Sequence, residues 1–151
     1  MRFPTRQLTA DDWAEFWPML KDMGTDDDAD QARPRYEMLV QDPRWGILGA
    51  QDGDRLVGYA AVQDYGPHLR LGDMHRLARL HDLYVLPRHR RRGVGTSLLE
   101  AAKTWTAEHA RYLEWQAGEH TSAPFYTRLG YTGEPCPQPE YPTFVIDFQE
   151  E

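Results

Sequence analysis

Cysteine is almost missing from this chain: Cys136 stands alone in 151 residues, so no disulfide can close within it. Long apolar runs are missing as well, and no stretch approaches the roughly 18 apolar residues that a membrane-spanning helix needs. The opening Met1-Arg2-Phe3-Pro4-Thr5-Arg6 has no apolar segment behind its charges, which a secretory signal would require. Together these absences lead to the expectation of a cytoplasmic protein without membrane association. Repeats and low-complexity tracts are absent too. Positive charge is scarce, with 17 Lys and Arg against 24 Asp and Glu and a formal net charge of -7, which argues against a nucleic-acid partner. The deficit is uneven. Residues 1 to 54 hold 12 acidic and 6 basic side chains, whereas residues 55 to 151 hold 12 and 11. Against this background four arginines crowd into five positions between Arg88 and Arg92. So local a patch suits a small anionic ligand better than a long polyanion.

The length fits one domain, residues 1 to 151, with a core large enough to need neither disulfide nor structural metal. Apolar periodicity and turn residues then order the elements. A short strand near Phe3 to Leu8 leads to Thr9, a helix N-cap, with Asp11 and Asp12 in the first turn and an apolar face of Trp13, Phe16, Trp17 and Leu20. The acidic segment from Gly24 to Asp30 reads as an exposed loop, followed by a second helix over Pro34 to Val40. Trp45 to Gln51 and Leu56 to Val62 flank Asp52-Gly53-Asp54 as a β-hairpin. A third apolar stretch, Leu77 to Leu86, is stopped by Pro87. Val94, Leu98, Ala102 and Trp105 mark a helix starting at Gly93. Arg111 to Ala117 reads as a strand, Ala123 to Leu129 as a short helix closed by Gly130, and Thr143 to Phe148 as a last strand. Strands interleaved with helices predict a mixed α/β sheet with helices on its faces.

The joint between the third stretch and the next helix carries the chemistry. The first N–H groups of a helix have no internal partner and sit at the positive end of its dipole, so they bind phosphate oxygens directly. Glycine permits close approach, and arginine adds forked donors that match phosphate geometry. The stretch Leu80-His81-Asp82-Leu83-Tyr84-Val85-Leu86-Pro87, the loop Arg90-x-x-Gly93-x-Gly95 and Leu98-Leu99 resemble the acetyl-CoA signature of the GCN5-related N-acetyltransferase (GNAT) superfamily. About thirty residues on, Ala123-Pro124-Phe125-Tyr126-Thr127-Arg128-Leu129-Gly130-Tyr131 resembles the second signature of that family.

The resemblance implies a GNAT fold, a mixed and mostly antiparallel sheet with splayed central strands and helices on both faces. It implies acetyl-CoA as co-substrate and no metal. The backbone of Leu83, Tyr84 and Val85 would pair with the pantetheine arm. Arg91, Arg92, Gly93, Val94, Gly95 and Thr96 would hold the pyrophosphate, with Arg90 capping the loop or touching the ligand, and Phe125 of the second signature would also contact the cofactor. The implied reaction is direct transfer from thioester to amine. It needs a proton acceptor for the amine, a donor for the oxyanion and a proton for the departing thiolate. Tyr126 matches the family position for the acid. His81 and Asp82 are the candidates for the base, and simple strand alternation sets their side chains on opposite faces. Glu119 stands where the family often has Asn.

The acceptor is the least defined part. An acidic rim of Asp22, Asp26, Asp27, Asp28 and Asp30 would attract a cationic amine, with a polyamine-like molecule and a peptide both among the candidates. The bland alternative is a solvated loop. Trp13, Trp17, Tyr36 and Trp45 would line an aromatic pocket or pack in the core, the latter being the commoner outcome. The resemblance also makes a homodimer a possible assembly, although no residue demands one. Two competing readings stand beside the enzyme: an acyl-CoA-binding sensor or interaction module without turnover, and a metal site built from His68, Asp73, His75, His81 and His89, whose spacing matches no ligand pattern.

Overall fold

A computed structural model describes residues 3–134, 140–142 and 144–149. The chain divides into two compact units, Met1–Trp115 and Gln116–Glu151.

The first unit is built on one five-stranded sheet in the order β1-β2-β3-β4-β5, formed by Thr5–Gln7, Trp45–Asp52, Arg55–Asp64, Leu77–Val85 and Tyr112–Glu114. Neighbours run antiparallel except β4 and β5, which are parallel. The β2–β3 hairpin turns at Gly53, whose φ of 65° is one that L side chains rarely adopt. Among the described residues the α-helices of this unit are α1 (Trp13–Gly24), α2 (Ala29–Leu39) and α3 (Val94–Ala107).

The sheet's two faces are assigned by what sits over its glycines and tyrosines. A Cβ on Gly46 would meet the Trp105 ring, and one on Gly58 would meet Leu98 and Val94, so α3 covers that face. On the opposite face Trp13, Phe16 and Met19 of α1 and Ala32 and Tyr36 of α2 close over Ile47, Leu56, Tyr59, Ala61 and Tyr84. Aromatic rings dominate this core. Phe16 stacks on Tyr36 at 4.6 Å between centroids and meets Tyr59 edge-on at 4.8 Å, within the range in which ring quadrupoles attract. Trp13, Trp17 and Tyr36 therefore belong to the core and not to a ligand pocket.

The helix starts follow from local hydrogen bonding. Thr9 caps a short 3-10 turn, Ala10–Asp12, with Asp12 accepting from the Thr9 amide at 2.8 Å and pairing with Arg6, and α1 continues from it. The second helix begins at Ala29, five residues before the expected Pro34 start. Asp28 accepts from the Gln31 amide while the Gln31 side chain accepts from the Asp28 amide, a reciprocal cap that outweighs the proline inside the helix. Part of the acidic segment thus has structural partners: Asp28 is the cap, Asp27 pairs with Arg35, and Asp22 accepts from the Tyr84 hydroxyl.

The sheet ends sooner than expected. The strand read at Arg111 to Ala117 is only Tyr112–Glu114. In the second unit, α4 (Ala123–Arg128) is followed by Gly130 at φ 96°, with the Tyr131 amide donating to the Tyr126 carbonyl at 3.1 Å, so the helix closes as its Gly signal suggests. Of the expected last strand, Thr143 lies outside the described residues, and Phe144 to Phe148 are not in a strand. No helix among the described residues is long and apolar enough to cross a membrane.

Candidate active site

The most informative feature of the sheet is where β4 loses a partner. Its pairing with β5 covers only Leu77↔Tyr112, Ala78↔Leu113 and Arg79↔Glu114. From Leu80 to Val85, β4 is bonded to β3 on one side and has no strand on the other among the described residues. The short β5 ends there, at Glu114. The Leu86 amide donates to the Val57 carbonyl at 2.9 Å, so Leu86 and Tyr84 direct their peptide groups at β3, and by strand alternation Leu83 and Val85 direct theirs at the open edge. Arg90 Nε donates to the Val85 carbonyl at 2.9 Å, with its guanidinium 5.7 Å from the Tyr84 ring centre. Arg90 therefore ties the loop to the strand. Among the three strand positions expected to face a pantetheine arm, Leu83 and Val85 offer peptide groups to the open edge and Tyr84 does not.

This edge leads into a loop with unusual backbone. Pro87–His89 forms a 3-10 turn, Arg91 stands at φ 63°, and Gly93, the N-cap of α3, at φ 93°. A left-handed residue with a Cβ costs roughly 1–2 kcal/mol, so Arg91 is strained where Gly93 is not. The Ser97 amide reaches the Gly93 carbonyl at 3.1 Å, which makes Val94, Gly95 and Thr96 the first helical residues, whose amides have no acceptor inside the helix. Arg88, Arg91 and Arg92 are exposed and form no ion pair among the described residues. Val94, Leu98 and Leu99 anchor the helix from behind. Gly58 lets the helix approach closely, since a Cβ there would lie 2.6 Å from the Tyr84 carbonyl and 3.0 Å from Leu98.

Around His81 the structure overturns simple alternation. Ala61 pairs with Asp82, but Val62 pairs with Leu80, so His81 is an extra residue, a β-bulge. His81 and Asp82 consequently share one face, the one covered by α1 and α2. Asp82 accepts from the Tyr59 hydroxyl at 2.9 Å, and Tyr59 packs on Phe16. His81 stacks on Trp45 at 5.3 Å between centroids and meets Gln63 Oε1 at 3.0 Å; Trp45 pairs with Gln63 across the hairpin and lies opposite the α3-facing Gly46. The expectation that the two side chains oppose each other is corrected by that one inserted residue. Burial, with the nearby Arg79 charge, holds the His81 pKa below its ordinary 6.5 despite the opposing pull of Asp82. The Tyr84 hydroxyl is pushed up to about 12 by burial and by its bond to Asp22.

Tyr126 lies in the second unit, on α4, where it is buried and packs edge-on against Phe125 at 5.0 Å. Burial raises its pKa above 10, so it carries its proton at neutral pH. Glu119 is exposed, 3.9 Å from His120. Among the described residues no group of three or more His, Cys, Asp or Glu is placed to hold a metal. His68 Nδ1 accepts from the amides of Arg70 and Leu71, and His89 faces Asp52, so these histidines are occupied separately.

Sequence reasoning missed Gln63, Trp45 and Tyr59 as partners of the candidate bases. The hairpin turn at Gly53 alone would set Trp45 against Val62; a register shift between Ala50 and Gln51 sets it against Gln63, and no sequence signal marks that irregularity or the bulge that brings His81 onto them.

A family model described as Acetyltransferase (GNAT) family matches residues 7–131. No curated protein matches the chain by sequence. Among solved structures, an aminoglycoside N-acetyltransferase in complex with CoA shares 18% identity over 97% of this chain and 95% of its own, with a TM-score of 0.79. Glucosamine-6-phosphate N-acetyltransferase from Arabidopsis thaliana shares 16% over 93% and 99%, with a TM-score of 0.74. Ribosomal-protein-alanine N-acetyltransferase from Brucella melitensis biovar Abortus 2308 shares 22% over 96% and 98%, with a TM-score of 0.68.

Proposed function

The chain belongs to the acetyltransferase (GNAT) family, and we propose that it moves the acetyl group of acetyl-CoA directly to the primary amine of a small molecule or peptide. The observation that carries this reading is the continuity of two anion- and amide-binding surfaces: the open edge of β4 at Leu83 and Val85 runs into the free first-turn amides of α3. An extended amide-bearing arm fits the first, and a pyrophosphate fits the second. Acetyl-CoA supplies an activated thioester and a thiolate leaving group. The chain's own contribution is to hold the two ends of that molecule and to manage protons.

For the pyrophosphate, the amides of Val94, Gly95 and Thr96 give fixed donors, the left-handed Gly93 leaves the approach clear, and Arg91 and Arg92 add charge at the mouth. For the arm, the Leu83 peptide groups and the Val85 N–H act as the missing strand would, the Val85 carbonyl being held by Arg90. Leu83 N–H, next to the bulge and directed at the open edge, is the donor assigned to the developing oxyanion. His81 takes the amine proton: its lowered pKa leaves the imidazole neutral at pH 7 and able to accept. Asp82, engaged by Tyr59, supports the charge of the imidazolium rather than acting as the base. Tyr126, assigned by its place in the second signature, gives its proton to the departing thiolate.

The three solved relatives name acceptors of three kinds, so the acceptor here is argued from this chain's own groups. Asp22 and Asp82, each bound by a core tyrosine on the α1/α2 face, favour a cationic amine there. Tyr126→Phe tests the assignment: kcat should fall by roughly 10²–10⁴-fold with CoA affinity retained. Wild-type kcat in that variant would remove Tyr126 from the mechanism. CoA binding without any turnover in the parent would favour the sensor reading.

A further inference from the structure

We propose that Gln63 is a positioning residue for His81, holding its imidazole as the Nε2–H tautomer so that Nδ1 is the ring's one proton acceptor, while Trp45 fixes the plane of the ring by stacking. The inference rests on the reading of His81 as the proton acceptor, and its test separates the two.

The tautomer follows from which end of the Gln63 carboxamide faces the ring, here Oε1. His81 Nε2 lies 3.0 Å from Gln63 Oε1, and a carboxamide oxygen has only lone pairs to offer, so the proton between them belongs to the imidazole. Trp45 stacks at 5.3 Å and 18° between planes, and Tyr65 closes a third side at 6.3 Å and 51°. These contacts exist because of the bulge. Trp45 pairs with Gln63 and Gln63 with Arg79, which sets their side chains on the α1/α2 face, and an unbulged β4 would have turned His81 to the α3 face instead.

A neutral partner matters. A carboxylate at position 63 would orient the ring equally well but would hold the proton the ring must be ready to accept. The charged and titratable groups around His81 already oppose one another. Arg79 on β4, paired with Glu114 of β5, disfavours the imidazolium, while Asp82, bonded to Tyr59 of β3, favours it. Tyr65 follows β3, and Arg44, next to Trp45, lies against Gly66. Gln63 orients the ring without tipping this balance.

The test is long-range 1H–15N NMR on the full chain with labelled histidines, in the parent, Gln63→Leu and Gln63→Glu. The parent should show His81 as the Nε2–H form above its pKa. Gln63→Leu should collapse that pattern into an exchange-averaged mixture, and Gln63→Glu should raise the His81 midpoint by about one unit or more. An Nδ1–H form in the parent, or His81 signals indifferent to both substitutions, would overturn the proposal. The pH profile of kcat then separates the two readings. If the acid limb of Gln63→Glu moves upward with the NMR midpoint, tautomer control and the role of His81 stand together. If the NMR midpoint moves and the limb does not, the tautomer assignment survives and His81 as the base does not.

Discussion

Replacing Gly93 with alanine tests the anion site through its backbone. Gly93 caps α3 at φ 93° and ψ 3°, and adding a Cβ there costs roughly 1–2 kcal/mol. That energy has two places to go. If the loop keeps its shape, the native state is destabilised, and at roughly 2–4 °C per kcal/mol for a chain of this size the melting temperature falls by about 2–8 °C. If the loop relaxes, stability is preserved but the shape must be restored on binding, and the same energy appears as roughly 5–30-fold weaker CoA affinity. Thermal melting and calorimetric titration with CoA on one preparation capture both. Arg91→Gly is the counterpart. It removes the strain at φ 63° while widening the unfolded ensemble by about 0.4–1 kcal/mol, so its melting temperature should stay closer to the parent than that of Gly93→Ala. Gly93→Ala with unchanged melting temperature and unchanged CoA affinity would refute the account of this loop.

Gly58→Ala would set a Cβ 2.6 Å from the Tyr84 carbonyl, a backbone atom that cannot swing aside, so it should cost about 1–3 kcal/mol and lower the urea midpoint. Arg76 grips Asp64, whose side chain is fully buried; burial alone would raise the Asp64 pKa, but Arg76 and the Gly66 amide hold it below 3.8. That contribution is present above about pH 3.8 and is lost as pH falls through the depressed native pKa. Arg76→Met should therefore melt lower at pH 7, with the deficit shrinking toward pH 3 as Asp64 takes up a proton; an equal deficit at both pH values contradicts the pairing. The lowered pKa of His81 predicts an acid limb in kcat with its midpoint below 6.5, activity being lost as pH falls, and His81→Gln should abolish that limb.

The fold was legible where one residue type decided the outcome. Gly53 turned the hairpin, Pro87 ended β4, and Gly93 and Gly130 marked helix ends. Legibility failed where a side chain from elsewhere decided it. Pro34 suggested a helix start, yet the Asp28–Gln31 cap set the boundary five residues earlier. Period-two alternation separated His81 from Asp82, and a single inserted residue reunited them, because alternation assumes the unbroken ladder that a bulge breaks. The acidic segment read as either a ligand rim or a solvated loop, while Asp27 and Asp28 have helix partners. In the loop the glycines and arginines were visible, and a capping Arg90 was one of two readings, but its partner Val85 and the left-handed turn at Arg91 were not, since neither residue type demands them.

The most direct measurement of the central claim is release of thiol from acetyl-CoA by the parent chain against a panel of polyamines, aminoglycosides, amino acids and peptides, with products identified by mass. Amine-dependent thiol release and a product heavier by one acetyl group are expected, with cationic acceptors favoured. CoA that binds but is never released in step with an acetylated amine, across the whole panel, would contradict that claim.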